Sequence, residues 1–249
     1  MPAPDFHILK GFVMKKTKEK YTAENCPIKH IAFIMDGNGR WAKKRGMPRE
    51  YGHTHGAEVF RKIMRRCCEL GIKAATFYVF STENWKRPQK EVDAILGLLD
   101  KYLDDCEKEV NDNDVRFIFV GDMSVFSDSI REKIKRIEEV SKNNTYIANM
   151  ALNYGGRDEI AHAVNTLIAD GKQSVTEDDI TGALYTKESP PLDLIVRTGG
   201  DIRLSNFLLW QAAYAEFYFT DKLWPDLKAK DVDIIVDDFV SRNRRFGGV

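Results

Sequence analysis

A chain of 249 residues can form one sizeable α/β domain or two small ones. With 43% hydrophobic and 31% charged residues it can build a packed core, which excludes disorder of the whole chain. Lys plus Arg and Asp plus Glu each number 38, so the formal net charge is zero. That argues against a nucleic-acid partner, which calls for a basic excess; any anion site must come from local clustering.

Residues 1–27 read as a flexible or loosely docked lead-in that ends at Pro27, ahead of a catalytic domain over 28–249. The basic run Lys15 to Lys20 follows the short apolar patch Ile8 to Met14, the wrong order for a secretory signal. Six apolar segments then come in turn: His30–Met35, Ala74–Phe80, Val115–Val120, Tyr146–Leu152, Leu192–Val196 and Ala215–Phe219. Their length suits strands buried on both faces and falls far short of the ~20 residues that span a bilayer. Helical stripes alternate with them. Val59, Phe60, Ile63, Met64 and Cys67 form one, with Gly71 as its stop. Val92, Ile95, Leu96, Leu99, Leu103 and Cys106 form a second after Pro88, and Ile130, Ile134 and Ile137 a third behind Ser127 as N-cap. The alternation predicts one α/β domain on a largely parallel six-stranded sheet flanked by helices.

Ligands of such sheets bind beyond the carboxyl ends of the strands. There the sequence places Asp36-Gly37-Asn38-Gly39-Arg40-Trp41, Ser81-Thr82-Glu83-Asn84-Trp85-Lys86-Arg87, Asn153-Tyr154-Gly155-Gly156-Arg157 and Arg197-Thr198-Gly199-Gly200-Asp201-Ile202-Arg203-Leu204-Ser205. Glycines let backbone N–H groups approach a ligand, and arginine forks match phosphate oxygens. Arg49 lies nine residues after Arg40. A carboxylate beside an anion cradle makes sense when Mg²⁺ joins them, since Mg²⁺ is held by one or two carboxylates plus substrate phosphates. Against this stands a plain glycine-rich turn with Asp36 capping a helix, because Gly-x-Gly alone is weak. No Gly-Lys-Ser/Thr follows, so this is no Walker loop. Asn38 stands where a haloacid-dehalogenase-type phosphatase would carry its second aspartate.

The second cradle, Arg197 to Ser205, can hold a diphosphate by two arginines and a hydroxyl; its bland alternative is a solvated surface loop. Two cradles in one neutral domain suggest two phosphorylated substrates. Glu216 is a candidate second metal oxygen or else the partner of an arginine. His53 can reach an anion, while His55 suits a surface or cap role and His162 a structural one. Cys26, Cys67, Cys68 and Cys106 form no CxxC pair, Cys67 falls on an apolar stripe, and reduced thiols of a cytosolic protein are expected. Neither a Gly-x-Ser-x-Gly elbow nor a His-Glu-x-x-His helix is present.

Taken together, five blocks resemble the cis-prenyltransferases (Z-isoprenyl diphosphate synthases), the bacterial undecaprenyl diphosphate synthases above all. They are His30 to Trp41, Phe80 to Pro88, Asn153 to Arg157, Arg197 to Gln211 and Ala215 to Pro225, and the resemblance runs from about His30 to Gly248. It implies condensation of isopentenyl diphosphate units onto an allylic diphosphate such as farnesyl diphosphate, with Z double bonds. The product favoured is undecaprenyl diphosphate, a cell-wall carrier precursor, although short-chain members share the same blocks.

By the resemblance, Asp36 binds Mg²⁺ and assists loss of the allylic diphosphate, and Glu216 completes the metal environment. Gly37, Asn38, Gly39, Arg40 and Arg49 would hold that diphosphate, with Trp41 beside it. Arg197, Arg203, Leu204 and Ser205 would hold isopentenyl diphosphate. His53, Ser81, Thr82, Glu83, Asn84, Trp85 and Arg87 fall at the reacting centre, where Asn84 would help proton removal. Ile202 departs from members that carry a metal-associated histidine there.

The family also implies a homodimer through the last strand and following helix, with Arg245 and Gly247 reaching the neighbouring site. A cytoplasmic location with transient membrane contact for product release is the matching expectation. A greasy tunnel is expected along Val92 to Leu103, on the side of that helix away from the sheet. Two other classes remain in play, a non-catalytic partner subunit on the same fold and a metal-dependent phosphohydrolase. Retention of Asp36, Arg40, Arg197, Arg203 and Glu216 speaks against the first, and the second cradle against the other.

Overall fold

The computed structural model describes residues 20–109 and 114–242. Six strands form one sheet: β1 His30–Ile34, β2 Ala74–Ser81, β3 Val115–Val120, β4 Tyr146–Tyr154, β5 Leu194–Arg197 and β6 Glu216–Phe219. All five neighbouring pairs are parallel, in the order β3-β4-β2-β1-β5-β6. Every residue of β1 is buried, as the continuous apolar run requires of a strand covered on both faces.

The helices are α1 Asn38–Lys43, α2 Arg49–Glu69, α3 Gln89–Glu109, α4 Asp128–Ser141, α5 Gly156–Ala169, α6 Glu177–Ala183 and α7 Ala229–Ser241. The three expected stripes become α2, α3 and α4. Leu70 ends α2 with left-handed Gly71 behind it, and the Ser127 hydroxyl caps α4 by accepting from the Ile130 N–H. On one face of the sheet, Ile31, Phe33 and Phe77 pack against α2, α3, α4 and α7. On the other, Ala32, Ile34, Ala151 and Ile195 pack against Phe207, Leu208 and Ala212.

The connection from β1 leads to β2 on one side, and that from β5 leads to β6 on the other. Between the carboxyl ends of β1 and β5 the sheet therefore opens a crevice, the place where parallel sheets bind ligands. The pairing of Ile34 with Arg197 puts Asp36 and the Arg197 loop at its two lips.

One expectation changes. The lead-in does not stay loose up to Pro27: Tyr21 and Cys26 are buried, and the Tyr21 hydroxyl donates to Asp237 on α7 at 2.8 Å. Their apolar area gives this segment something to bury, so the packed body begins by residue 21. Arg245 and Gly247 lie outside the described residues. Among the described residues no helix is long and apolar enough to cross a membrane.

Candidate active site

Asp36 leaves the end of β1 and its carboxylate meets two guanidinium groups. Oδ1 lies 3.0 Å from Nη2 of Arg40, one helical turn on in α1, and Oδ2 accepts from Nη2 of Arg197 at 3.1 Å. Asp36 therefore does not cap α1; Gly37 occupies that position. Burial raises the Asp36 pKa, but the bonds from Arg197 and Arg40 outweigh it and hold the carboxyl below the usual carboxylate range.

Arg197 is only 3% exposed. Its Nη1 donates to the Ser205 hydroxyl at 2.8 Å and to the Arg203 carbonyl, and its Nη2 lies 3.4 Å from Asp201, which also accepts from Arg203 at 2.7 Å. The Nε of Arg197 has no partner. Arg40 donates in turn to the Gly199 carbonyl. A Cβ on Gly199 would stand 2.5 Å from the Arg40 guanidinium, and φ of +91° suits glycine there. The two arginine cradles of the sequence are thus one linked constellation across the crevice.

The second lip comes from β2. Register slips between Tyr78 and Phe80 and between Phe80 and Ser81, so Tyr78, Val79, Phe80 and Ser81 all border the same space instead of alternating. A 3-10 turn, Thr82–Lys86, follows, with Ser81 as its N-cap in a capping box with Asn84; the Ser81 N–H donates to Asn84 Oδ1 at 3.1 Å. Trp85 anchors the turn by donating from its indole to Asn153 Oδ1 at 2.8 Å.

These pieces border one cavity of about 800 Å³. Asp36, Asn38, Arg40, His53, Ser81, Glu83, Asn84, Arg87, Arg197, Arg203 and Ser205 line its polar end. Phe60, Leu96, Leu99, Tyr102, Phe119 and Met150 line its apolar part. Met150 sits four residues before Tyr154 on β4, roughly 13 Å below the strand ends. Because Phe119 and Met150 belong to the sheet, the greasy space lies between α3 and the sheet. That corrects the expectation that it would run along the far side of the helix: Leu96 and Leu99 border the same space as these strand residues. Val92 and Leu103 are buried core beside it.

Burial, with help from the nearby positive charge of Arg87, keeps the His53 pKa low, so its ring is biased toward the neutral form. The remaining expected residues back the walls. Trp41 is buried, stacks on His55 with centroids 4.8 Å apart and donates to Asp226 at 2.7 Å. Arg49 pairs with Glu91 at 3.2 Å and lies against Gly39. The Thr82 hydroxyl donates to Glu83 at 3.3 Å, and Leu204 packs on the second core cluster.

Glu216 is not brought to the crevice of its own chain. It starts β6 opposite Leu194, three residues before the Phe219–Arg197 pair, so it lies roughly 10 Å down the strand from the cradle. Its carboxylate meets Arg242 at 3.2 Å, the arginine-partner alternative of the sequence. Parallel register decides this, since the amino end of a strand cannot reach the carboxyl edge.

Among the described residues no group of three or more His, Cys, Asp and Glu can hold a metal ion by itself. Asp36 stays partly exposed at the polar end of the cavity, so its carboxylate is an oxygen donor that a hard cation would share with a phosphate ligand. Ile202 offers no donor and is 77% exposed.

Comparison with known proteins shows which family the chain belongs to. Residues 34–247 match the family model described as "Putative undecaprenyl diphosphate synthase". The chain belongs to that family, the cis-prenyltransferases. The isoprenyl transferase of Fusobacterium nucleatum is 48% identical over 227 residues, covering 91% of this chain and 98% of that protein. The isoprenyl transferase of Clostridium tetani is 44% identical over 243 residues, covering 94% and 95%. The structure of lavandulyl diphosphate synthase from Lavandula x intermedia, in complex with dimethylallyl diphosphate, superposes with a TM-score of 0.84 at 32% identity, covering 88% of this chain and 98% of that one. A probable undecaprenyl diphosphate synthase from Campylobacter jejuni gives 0.76 at 38% identity, covering 89% and 99%.

In this prenyltransferase, sequence reasoning missed several cavity residues. Asp201 lay inside a quoted block, and the linked pairs around Arg197 explain its part. Tyr78, Phe119, Met150 and Trp224 also border the cavity. Their only sequence signal was membership of apolar runs or of the last block, which does not say which face they line.

Proposed function

We propose that the protein condenses isopentenyl diphosphate units onto an allylic diphosphate, with farnesyl diphosphate as primer, to give a long Z-polyprenyl diphosphate of the undecaprenyl class. The observation that carries this is the single cavity that passes from linked arginine cradles into an apolar interior. A hydrolase of small phosphates has no use for the apolar half, and a non-catalytic partner has no use for the Asp36 constellation.

Arg40, backed by the start of α1, binds the allylic diphosphate, and Arg197, Arg203 and Ser205 bind the isopentenyl diphosphate. As the carbon–oxygen bond of the allylic substrate breaks, negative charge grows on the leaving diphosphate, and fixed guanidinium groups stabilise it. Mg²⁺, held by Asp36 and phosphate oxygens, would neutralise further leaving-group charge. Holding both diphosphates fixes the attacking alkene against the allylic carbon, an orientation effect worth up to about 7–11 kcal/mol.

The new carbon–carbon bond leaves a cation that loses a proton to restore the double bond. Asn84 is too weak a base to take it, so its role is to orient the donor while the released diphosphate or water accepts. The growing chain extends between α3 and the sheet, past Leu99 toward Phe119 and Met150.

Symmetric pairing through β6 and α7, and transient contact with a membrane when the oily product leaves, belong to the same reading. Incubation with Mg²⁺, farnesyl diphosphate and labelled isopentenyl diphosphate tests it. Chain elongation is the expected result, with chromatography of the dephosphorylated product giving its length; free phosphate alone, or no reaction, overturns it.

A further inference from the structure

Two segments far apart in sequence meet at the polar end of the cavity, the Ser81–Arg87 turn after β2 and the Arg197–Ser205 loop after β5. Asn206, the residue that closes the second loop, touches both. Its backbone is left-handed, with φ +63°, a conformation asparagine adopts more readily than most residues. Its carbonyl accepts from the Gly156 N–H at 2.7 Å. In the side chain, Oδ1 accepts from the Arg157 N–H at 3.0 Å, and Nδ2 donates to Glu83 Oε1 at 3.1 Å. The amide is held by the start of α5 at one end and directed at the β2 turn by the other.

The surroundings are shaped to this side chain. A Cβ on Gly155 would lie 2.7 Å from Nδ2 of Asn206 and 3.0 Å from the Thr82 hydroxyl, so a side chain there would press directly on the bridging amide. Glu83 is ready to accept: burial raises its pKa, but hydrogen bonds from its own backbone N–H and from Asn206 more than offset that and keep it ionised. The adjacent Ser205 carbonyl receives the Tyr78 hydroxyl of β2 at 3.2 Å, a second tie along the same line.

We propose that Asn206 is a positioning residue that sets the distance between the isopentenyl diphosphate site and the reacting centre by bridging the Arg203–Ser205 loop to Glu83 on the Ser81–Arg87 turn. The inference rests on the reaction proposed above and adds to it a residue that need not touch the reacting atoms. A misplacement of about 1 Å between reacting groups can cost on the order of 100-fold in rate. Loss of the bridge should therefore weaken catalysis far more than it weakens binding of the allylic substrate.

Asn206→Gly tests this cleanly, because it keeps the left-handed backbone and the bond to Gly156 while removing the amide. The expected result is a kcat lower by about 10- to 100-fold and a raised KM for isopentenyl diphosphate, with farnesyl diphosphate affinity within about two-fold of the parent. Asn206→Asp sets a carboxylate against Glu83 and should fall at least as far. Adding Glu83→Gln to it restores one donor and one acceptor with the roles exchanged, and should recover at least about ten-fold of the lost kcat.

A double variant no better than Asn206→Asp overturns the inference, as does an Asn206→Gly protein with parental kcat or with affinity for both substrates lost together. The parent protein is assayed alongside. Failure of the parent to elongate condemns the proposed reaction and this inference with it, whereas failure confined to the cycle of variants condemns the bridge alone.

Discussion

Arg197 and Asp36, 161 residues apart in the chain, are joined by a hydrogen bond of 3.1 Å at the point where β1 and β5 end. A guanidinium that is 3% exposed requires counter-charge, and Asp36 and Asp201 supply it. The pair therefore supports the fold at the place where the proposed reaction is set. Its two members sit where an anionic ligand and a cation would meet.

Asp36→Ala should lower turnover by orders of magnitude with only a modest change in farnesyl diphosphate binding. Steady-state kinetics beside calorimetric binding check this, and full activity would contradict a metal role for the carboxylate. Stability carries a separate signature. The folded pKa of Asp36 is depressed, so its ion pairs stabilise the protein above the ordinary carboxylate range, and that contribution fades as pH falls through the lower folded value. The gap in melting temperature between the parent and Asp36→Asn should be flat from neutral pH to about 5 and close in stronger acid.

Arg203→Ala should raise the KM for isopentenyl diphosphate more than that for the allylic substrate. Arg203 reaches Asp201 and its carbonyl receives Arg197, which places it wholly within the second cradle. The reverse pattern of KM values would mean that the two diphosphate sites are exchanged.

Leu99 is buried and borders the apolar part of the cavity. Leu99→Ala should change the distribution of product lengths and destabilise the fold by about 2–5 kcal/mol, the usual cost of such a truncation in a core. Chromatography of the product and chemical denaturation measure the two effects. An unchanged product spectrum would argue that the chain does not pass Leu99.

His30 gives a pH test away from the cavity. Burial lowers its pKa to about 4, and its ring is held between the Pro190 carbonyl at 2.8 Å and the Thr76 hydroxyl at 2.7 Å. The unfolded chain takes up a proton near pH 6.5 and the folded one does not, so stability is full above that value. It declines as pH falls toward 4, by up to about 3 kcal/mol. His30→Gln should flatten this dependence between pH 6.5 and 4 in denaturation curves. A slope identical to that of the parent would show that another group is responsible.

The sequence by itself determined the inventory. Six strand-sized apolar runs, three amphipathic stripes and the chemistry at the strand ends are local signals, carried by residues close together in the chain. The rule that parallel sheets bind ligands at their carboxyl edge turned that inventory into a site, and Asp36, Arg40, Asn84, Arg197 and Ser205 do line one cavity.

Only the tertiary structure decided which strands are neighbours, that Glu216 stays on Arg242, and that the greasy space faces the sheet side of α3. The same holds for Asn206, whose amide connects residues 123 apart. The reason is register: whether a side chain reaches the crevice depends on strand order and on the offset between paired strands. That offset is set by packing across the whole domain, where no short stretch of sequence holds the information.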